Sequence, residues 1–158
     1  MIDYKKQGKR NLEKGRRFEL LVRKDLESKG WIVSKWQNNV EIFEEDNQIP
    51  DDDGKCVWAK CIPAKQGRFR KTSTGFPDFI AYKMSCVPHK IYFAEYPCLP
   101  KEQIFPYVVI FVECKTNGYL KPEEKEKAKW CLENNYCSKF LVAKKGIKRG
   151  EIEYVEIN

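Results

Sequence analysis

The feature that most constrains this chain is the run Val108-Val-Ile-Phe-Val112. An unbroken apolar run rich in β-branched residues reads as a strand covered on both faces. In a chain of mean hydropathy −0.65 such a strand must lie at the centre of a sheet, with material packed above and below. Glu113-Cys114-Lys115 follows it directly. Side chains alternate along a strand, so Glu113 and Lys115 point to one face with Phe111, and Val112 and Cys114 point to the other.

Other elements arrange themselves around that strand. Leu12 to Lys29 predicts a helix, with Leu12, Phe18, Leu21, Val22 and Leu26 at helical steps and Gly30 as its stop. Trp31–Trp36 and Phe79–Tyr82 predict strands. Pro122 opens a helix over 123–134, and Phe140–Ala143 and Ile152–Ile157 close the chain as strands. Residues 44–76 read as an acidic and basic loop with a hairpin near Cys56-Val-Trp58. Residues 84–106, with prolines at 88, 97, 100 and 106, read as an insertion around a strand-like Ile91–Ala94. The order helix, three strands, helix, two strands predicts an α/β (α+β) fold. At 158 residues, one domain spanning 1–158 is expected.

No apolar run approaches the ~18 residues of a membrane span, and the polar, basic start has no signal-like apolar stretch, so a cytoplasmic protein is expected. Seven cysteines, an odd number spread along the chain, suggest reduced thiols. Cys56, Cys61, Cys86, His89 and Cys98 are soft donors, but their spacing is looser than that of common zinc sites, and thiols without zinc are the expectation. The acidic stretch 44–53 lacks the regular ligand spacing of a calcium loop. A single histidine leaves no Ser/His/Asp triad, and no glycine-rich phosphate loop is present.

The net charge of +7 is unevenly spread. Residues 1–35 carry eleven basic and five acidic side chains, residues 36–54 seven acids and no base, and residues 55–75 six bases and no acid. Two basic blocks around an acidic one suit a polyanionic partner such as DNA. In the second block, Arg68-Phe69-Arg70-Lys71 interleaves aromatic and basic groups ahead of Phe76, where Phe69 or Phe76 would stack on or wedge a base.

Three carboxylates sit where solubility does not require them. Glu19 shares a helical stripe with Val22 and Leu26, Asp78 stands in Gly75-Phe-Pro-Asp-Phe-Ile80 at a strand mouth, and Glu113 ends the buried strand. Burying carboxylates costs several kcal/mol unless a cation compensates them. Lys115 alone cannot balance three, whereas Mg²⁺ or Mn²⁺, which prefer hard oxygen donors, can. Two acids and a lysine around such an ion suit phosphodiester hydrolysis. An isolated Glu-x-Lys is a common edge ion pair, and Pro-Asp marks ordinary turns. The weight lies in their combination.

Pro77-Asp78 with Glu113-Cys114-Lys115 resembles the Pro-Asp…(Asp/Glu)-x-Lys nuclease superfamily, over roughly residues 12–157. Gly75–Ala81, Val112–Thr116 and Gly118–Lys125 resemble the virus-type replication-repair nucleases. Gly15-Arg-Arg-Phe-Glu19 with Gly30–Val33 resembles archaeal Holliday-junction resolvases. The resemblance implies a restriction-endonuclease-like core with a central mixed sheet flanked by helices. It implies a site of Glu19, Asp78, Glu113 and Lys115, with Asp78, Glu113, Glu19 and the Cys114 carbonyl around the metal. Where the family often has a glutamine in the helix after the lysine strand, this chain has Glu124-Lys125, so that either Lys125 takes that place near the phosphate or the site does without such a group. Resolvase-like members imply a two-fold homodimer.

The expectation is therefore a Mg²⁺- or Mn²⁺-dependent endonuclease acting on double-stranded or branched DNA in repair, recombination or replication. Arg16, Arg17, Arg68, Arg70, Lys71 and Lys125 would hold its backbone. The rival readings are a catalytically silent DNA-binding module and an RNA-directed nuclease.

Overall fold

A computed structural model describes residues 4–44, 57–64, 75–84 and 107–157. The chain runs α1 (Tyr4–Ser28), β1 (Ile32–Lys35), β2 (Asn38–Glu44), β3 (Val57–Pro63), β4 (Phe79–Met84), β5 (Tyr107–Cys114), α2 (Pro122–Glu133), β6 (Lys139–Lys145) and β7 (Ile152–Ile157). Five strands form one sheet in the order β1-β4-β5-β6-β7, and β2 pairs with β3 in a separate two-stranded sheet. The large sheet is mixed. β5 and β6 run parallel, with Phe111 opposite Phe140 and Glu113 opposite Val142, while every other pair is antiparallel. A parallel neighbour needs a crossover connection, and α2 supplies it.

The apolar run of β5 is buried on both faces, as its sequence demands. On one face Ile110 and Val112 pack with Val33, Phe79, Ala81 and Ala143 beneath Phe18, Val22 and Leu26 of α1. On the other, Phe111 and Phe140 pack with Val40, Phe76, Ala128 and Cys131, from β2, the strand mouth and α2. Phe76 stacks on Phe140 with centroids 5.5 Å apart, and Phe140 meets Phe111 edge-on at 6.3 Å. The structure is thus a mixed α/β arrangement with material on both faces of a central strand. No helix among the described residues is long and apolar enough to cross a membrane.

Several expectations need correction. α1 begins at Tyr4, eight residues before Leu12. Residues 6–14 are exposed all round, so this half of the helix carries no apolar stripe by which to recognise it. Leu12 and Leu21 are 51% and 47% exposed, and the buried stripe is Phe18-Val22-Leu26 at strict four-residue steps. Residues 38–44 and 57–63 form the β2–β3 pair, where only a loop with a hairpin near 56–58 is expected. Phe76 is a core residue and is not available to a base. Gly30, at φ +81°, does close α1, with the Trp31 N–H donating to the Leu26 carbonyl at 3.1 Å. The acidic stretch at 45–53, Arg68, Phe69, Arg70, Lys71, Cys56, Cys86, His89, Cys98 and the strand-like 91–94 within the insertion lie outside the described residues.

Candidate active site

Asp78 and Glu113 meet because their strands are neighbours. β4 pairs with β5 so that Phe79 lies opposite Val112, which puts the residue before one beside the residue after the other. The Asp78 N–H donates to Glu113 Oε2 at 3.1 Å, and the Cys114 N–H donates to Asp78 Oδ2 at 2.9 Å. The segment leading to Asp78 is pinned from its other side. The Phe76 N–H donates to the Asn38 carbonyl at 2.9 Å, and the Trp36 N–H donates to the Asp78 carbonyl at 3.1 Å. Gly75, at φ +104°, makes that close passage, since a Cβ there would stand 2.9 Å from the Trp36 carbonyl oxygen and 3.2 Å from that of Asn38.

Lys115 completes the cluster. Its Nζ lies 3.0 Å from Glu113 Oε1 and 2.7 Å from Glu124 Oε1. Glu124 also acts on the helix. Its Oε2 accepts the Lys121 N–H at 2.8 Å, closing the first turn of α2 as a glutamate at the third helical position does. One carboxylate thereby fixes both the start of α2 and the lysine that follows β5. The alternation read from the sequence holds. Glu113 and Lys115 lie toward α2, and Cys114 packs with the α1-side core.

Glu19 borders this cluster from the α1 side. Its Oε2 is held by Lys35 Nζ at 2.7 Å, and it lies at the edge of the buried stripe, partly exposed. Lys35 follows Val33 by two on β1, so both face α1. Lys35 and Glu124 are the two charged residues of the cluster that the motif reading omits. Strand alternation from the buried Val33 gives the first, and the helix-start pattern at Pro122 gives the second. Lys125 does not join the cluster. It is exposed, with Nζ 5.9 Å over the Tyr119 ring. Arg16 and Arg17 are exposed on α1.

The electrostatics show how strained a bare pair of carboxylates is here. Glu113, with a side chain 8% exposed, is raised to about 8 by burial and by the Asp78 charge, against the opposing pull of Lys115. Asp78 is also raised, by burial and by the charge of Glu19, although the Cys114 N–H and the two lysines favour its anion. Burial pulls the Lys115 ammonium down, but Glu113 and Glu124 outweigh it, and the net shift is upward. Burial and mutual repulsion therefore disfavour the anions of the two acids, while Lys115 keeps its proton.

That donor set fits a hard divalent ion. Asp78 and Glu113 offer carboxylate oxygens, joined through the Cys114 N–H that donates to Asp78, and a cation would favour their anions. Among the described residues no three His, Cys, Asp or Glu side chains converge as a metal cage. Mg²⁺ does not require one, since it keeps several waters and binds through one or two carboxylates. Glu19, already paired with Lys35, fits a role toward such waters better than direct ligation.

A pH dependence follows. Glu113 titrates near its ordinary value of 4.5 when unfolded and at about 8 when folded. Between these limits the folded chain binds more protons than the unfolded one, so this group's contribution to stability falls as pH rises through the window. In EDTA, the unfolding free energy of the wild type from denaturant titration should drop from pH 5 to pH 8.5 relative to Glu113→Gln, by on the order of a few kcal/mol. Parallel pH profiles for the two proteins would show that Glu113 carries no such shift.

No protein-family model matches the chain, and no curated protein or solved structure matches it significantly.

Proposed function

We propose that this protein is a metal-dependent nuclease of restriction-endonuclease-like fold that hydrolyses phosphodiester bonds in DNA. The observation that carries this reading is the pair of the half-buried Asp78, at the mouth of β4, and the buried Glu113, near the end of the central strand, with Lys115 ion-paired to Glu113 at 3.0 Å. A structural ion pair balances one acid with one base. Here the lysine is shared with Glu124, and burial and repulsion disfavour the anions of both acids, a cost that a divalent cation would offset.

Asp78, Glu113 and the Cys114 carbonyl would hold Mg²⁺ or Mn²⁺. Such an ion supplies Lewis-acid charge and lowers the pKa of a bound water. Lys115, its ammonium favoured by two carboxylates, acts as a hydrogen-bond donor and not as a base. It orients the attacking water or offsets charge on a phosphate oxygen in the transition state. Glu19 and Lys35 border the same site, where the carboxylate can accept from a water and the ammonium can face a phosphate. The first half of α1 supplies a cationic flank. Lys6, Lys9, Arg10, Lys14, Arg16 and Arg17 lie along an exposed helix with Glu13 as the acid among them. A basic helix of this kind tracks a polyanionic backbone.

The test is cleavage of supercoiled plasmid, single-stranded, flap and four-way-junction DNA, and of single-stranded RNA, with Mg²⁺, Mn²⁺ or EDTA. The expected result is cleavage of DNA, branched forms foremost, with either metal and none in EDTA. Cleavage of RNA alone, or of no substrate, would remove the assignment.

A further inference from the structure

The turn joining β6 to β7 presents an isolated apolar tip within a basic frame. Ile147 is 96% exposed, and Lys145, Lys148 and Arg149 surround it in sequence, all exposed. The acid of the turn, exposed like its neighbours, is folded back onto the turn backbone. Glu151 Oε2 accepts the Lys148 N–H at 3.0 Å, and the Glu151 carbonyl accepts the Gly146 N–H at 2.9 Å. A Cβ on Gly146 would come within 2.5 Å of Glu151 Cγ, so the turn is closed tightly on that side chain. The carboxylate is engaged with the turn backbone, and the three cations Lys145, Lys148 and Arg149 outnumber it.

This turn leaves the sheet at the end where the acid cluster sits. β5 and β6 are parallel, so their C-terminal ends lie together. The Lys115 N–H donates to the Ala143 carbonyl at 2.9 Å, and a Cβ on Gly118 would touch the Lys144 side chain. Toward α1 the turn borders a cleft of about 430 Å³ whose floor includes Phe18, Leu21 and Ile152. Leu21 is half exposed, and helical spacing places Arg17 and Lys14 on its side of α1. An apolar tip, a partly apolar cleft and cations on both sides thus stand at the sheet end where β5 closes, on its α1 side, while the Lys115 side chain lies toward α2.

We infer that the 145–149 turn is a nucleic-acid wedge, with Ile147 entering between bases where a duplex opens and Lys145, Lys148 and Arg149 holding the flanking phosphates. Architectural DNA-binding proteins insert isolated apolar side chains at base steps in this way, while neighbouring cations hold the backbone. A basic turn with an apolar tip also suits an anionic membrane. Its place at the end of the sheet where the parallel β5 and β6 finish, the end that carries Glu113, favours the phosphodiester polymer. The inference rests on the nuclease reading and adds a substrate class to it, DNA with a duplex-to-single-strand junction.

The test uses the full chain, Ile147→Ser, and the triple variant Lys145→Ala, Lys148→Ala, Arg149→Ala. Binding is followed by anisotropy, in Ca²⁺, on a forked DNA with 2-aminopurine at the junction and on the matching uninterrupted duplex. Vesicles containing phosphatidylserine form a parallel arm. Wild-type protein should raise 2-aminopurine fluorescence at the fork. Ile147→Ser should lose that rise and reduce the fork-over-duplex preference by roughly 10-fold, the scale of burying one such side chain. The triple variant should flatten the slope of log affinity against log salt by about 2–3, near ~0.9 for each phosphate no longer neutralised. If wild-type protein cuts DNA but both variants bind and perturb the fork as it does, the wedge is wrong and the nuclease reading stands. Binding to vesicles with none to DNA would overturn the wedge in favour of a membrane surface. Absence of DNA binding and of cleavage in the wild type would overturn both.

Discussion

Asp78→Asn and Glu113→Gln are each expected to slow single-turnover DNA cleavage by more than ~100-fold, since even outer-shell partners of metal ligands carry effects of 10- to 100-fold. Affinity for DNA should hold or rise, because each change removes a negative charge from the place where a phosphate must approach. The two differ in structural cost. After Asp78→Asn, the new amide can still accept the Cys114 N–H through its carbonyl oxygen. After Glu113→Gln, one carbonyl oxygen remains where two carboxylate oxygens received the Asp78 N–H and Lys115 Nζ, so one of these two contacts is lost, although Lys115 keeps Glu124. Asp78→Asn is therefore the cleaner probe of charge. Gel-shift affinity beside single-turnover rates separates binding from chemistry. Wild-type rates in both variants would remove this cluster from the reaction.

Gly75→Ala is expected to damage both fold and chemistry, although residue 75 carries no functional group. Its φ of +104° is a conformation that L side chains rarely adopt, at a cost on the order of 1–3 kcal/mol. The space is also closed, since the atoms a Cβ would meet at 2.9 and 3.2 Å are backbone carbonyl oxygens of Trp36 and Asn38, which cannot swing aside as a side-chain tip can. Relief must come from moving the 75–78 segment or the stretch between β1 and β2. Either movement disturbs the Phe76–Asn38 and Trp36–Asp78 hydrogen bonds that position the aspartate. The melting temperature should fall by roughly 4–10 °C. Cleavage should fall by up to ~100-fold in the protein that remains folded, the scale of a 1 Å misplacement. A melting temperature within about a degree of wild type would show that the segment yields easily.

The parts of this fold that are legible in the sequence are those where one chemical pattern decides. The run 108–112 has nowhere to go but a covered strand, and alternation from it places Glu113 and Lys115 together and Cys114 opposite. Gly30 and Pro122 mark helix ends through backbone chemistry that needs no tertiary partner. What escapes depends on partners distant in sequence or on missing contrast. The first half of α1 is polar on every side, so periodicity has nothing to register. β2 finds β3 across residues 45–56, a stretch whose composition signals only a loop. Phe76 looks available to a base because it follows a basic segment, but its stacking on Phe140 is set by the sheet. In the site, the acids and Lys115 stand out as charges beside apolar strands. Lys35 and Glu124 look like ordinary surface charges until β1 and α2 are placed, and only then does each prove to hold a member of the cluster.

The most direct test of a phosphodiesterase centre at Asp78, Glu113 and Lys115 is nicking of supercoiled plasmid in Mg²⁺ by the wild type and by Lys115→Ala, purified identically. The lysine donates to Glu113 and Glu124 at the border of the site, so its loss should spare the fold and leave the two acids to hold the ion. The account predicts nicking by the wild type that stops in EDTA, and none above background by Lys115→Ala. Equal nicking by the two proteins, or none by the wild type with Mg²⁺ or Mn²⁺, would contradict it.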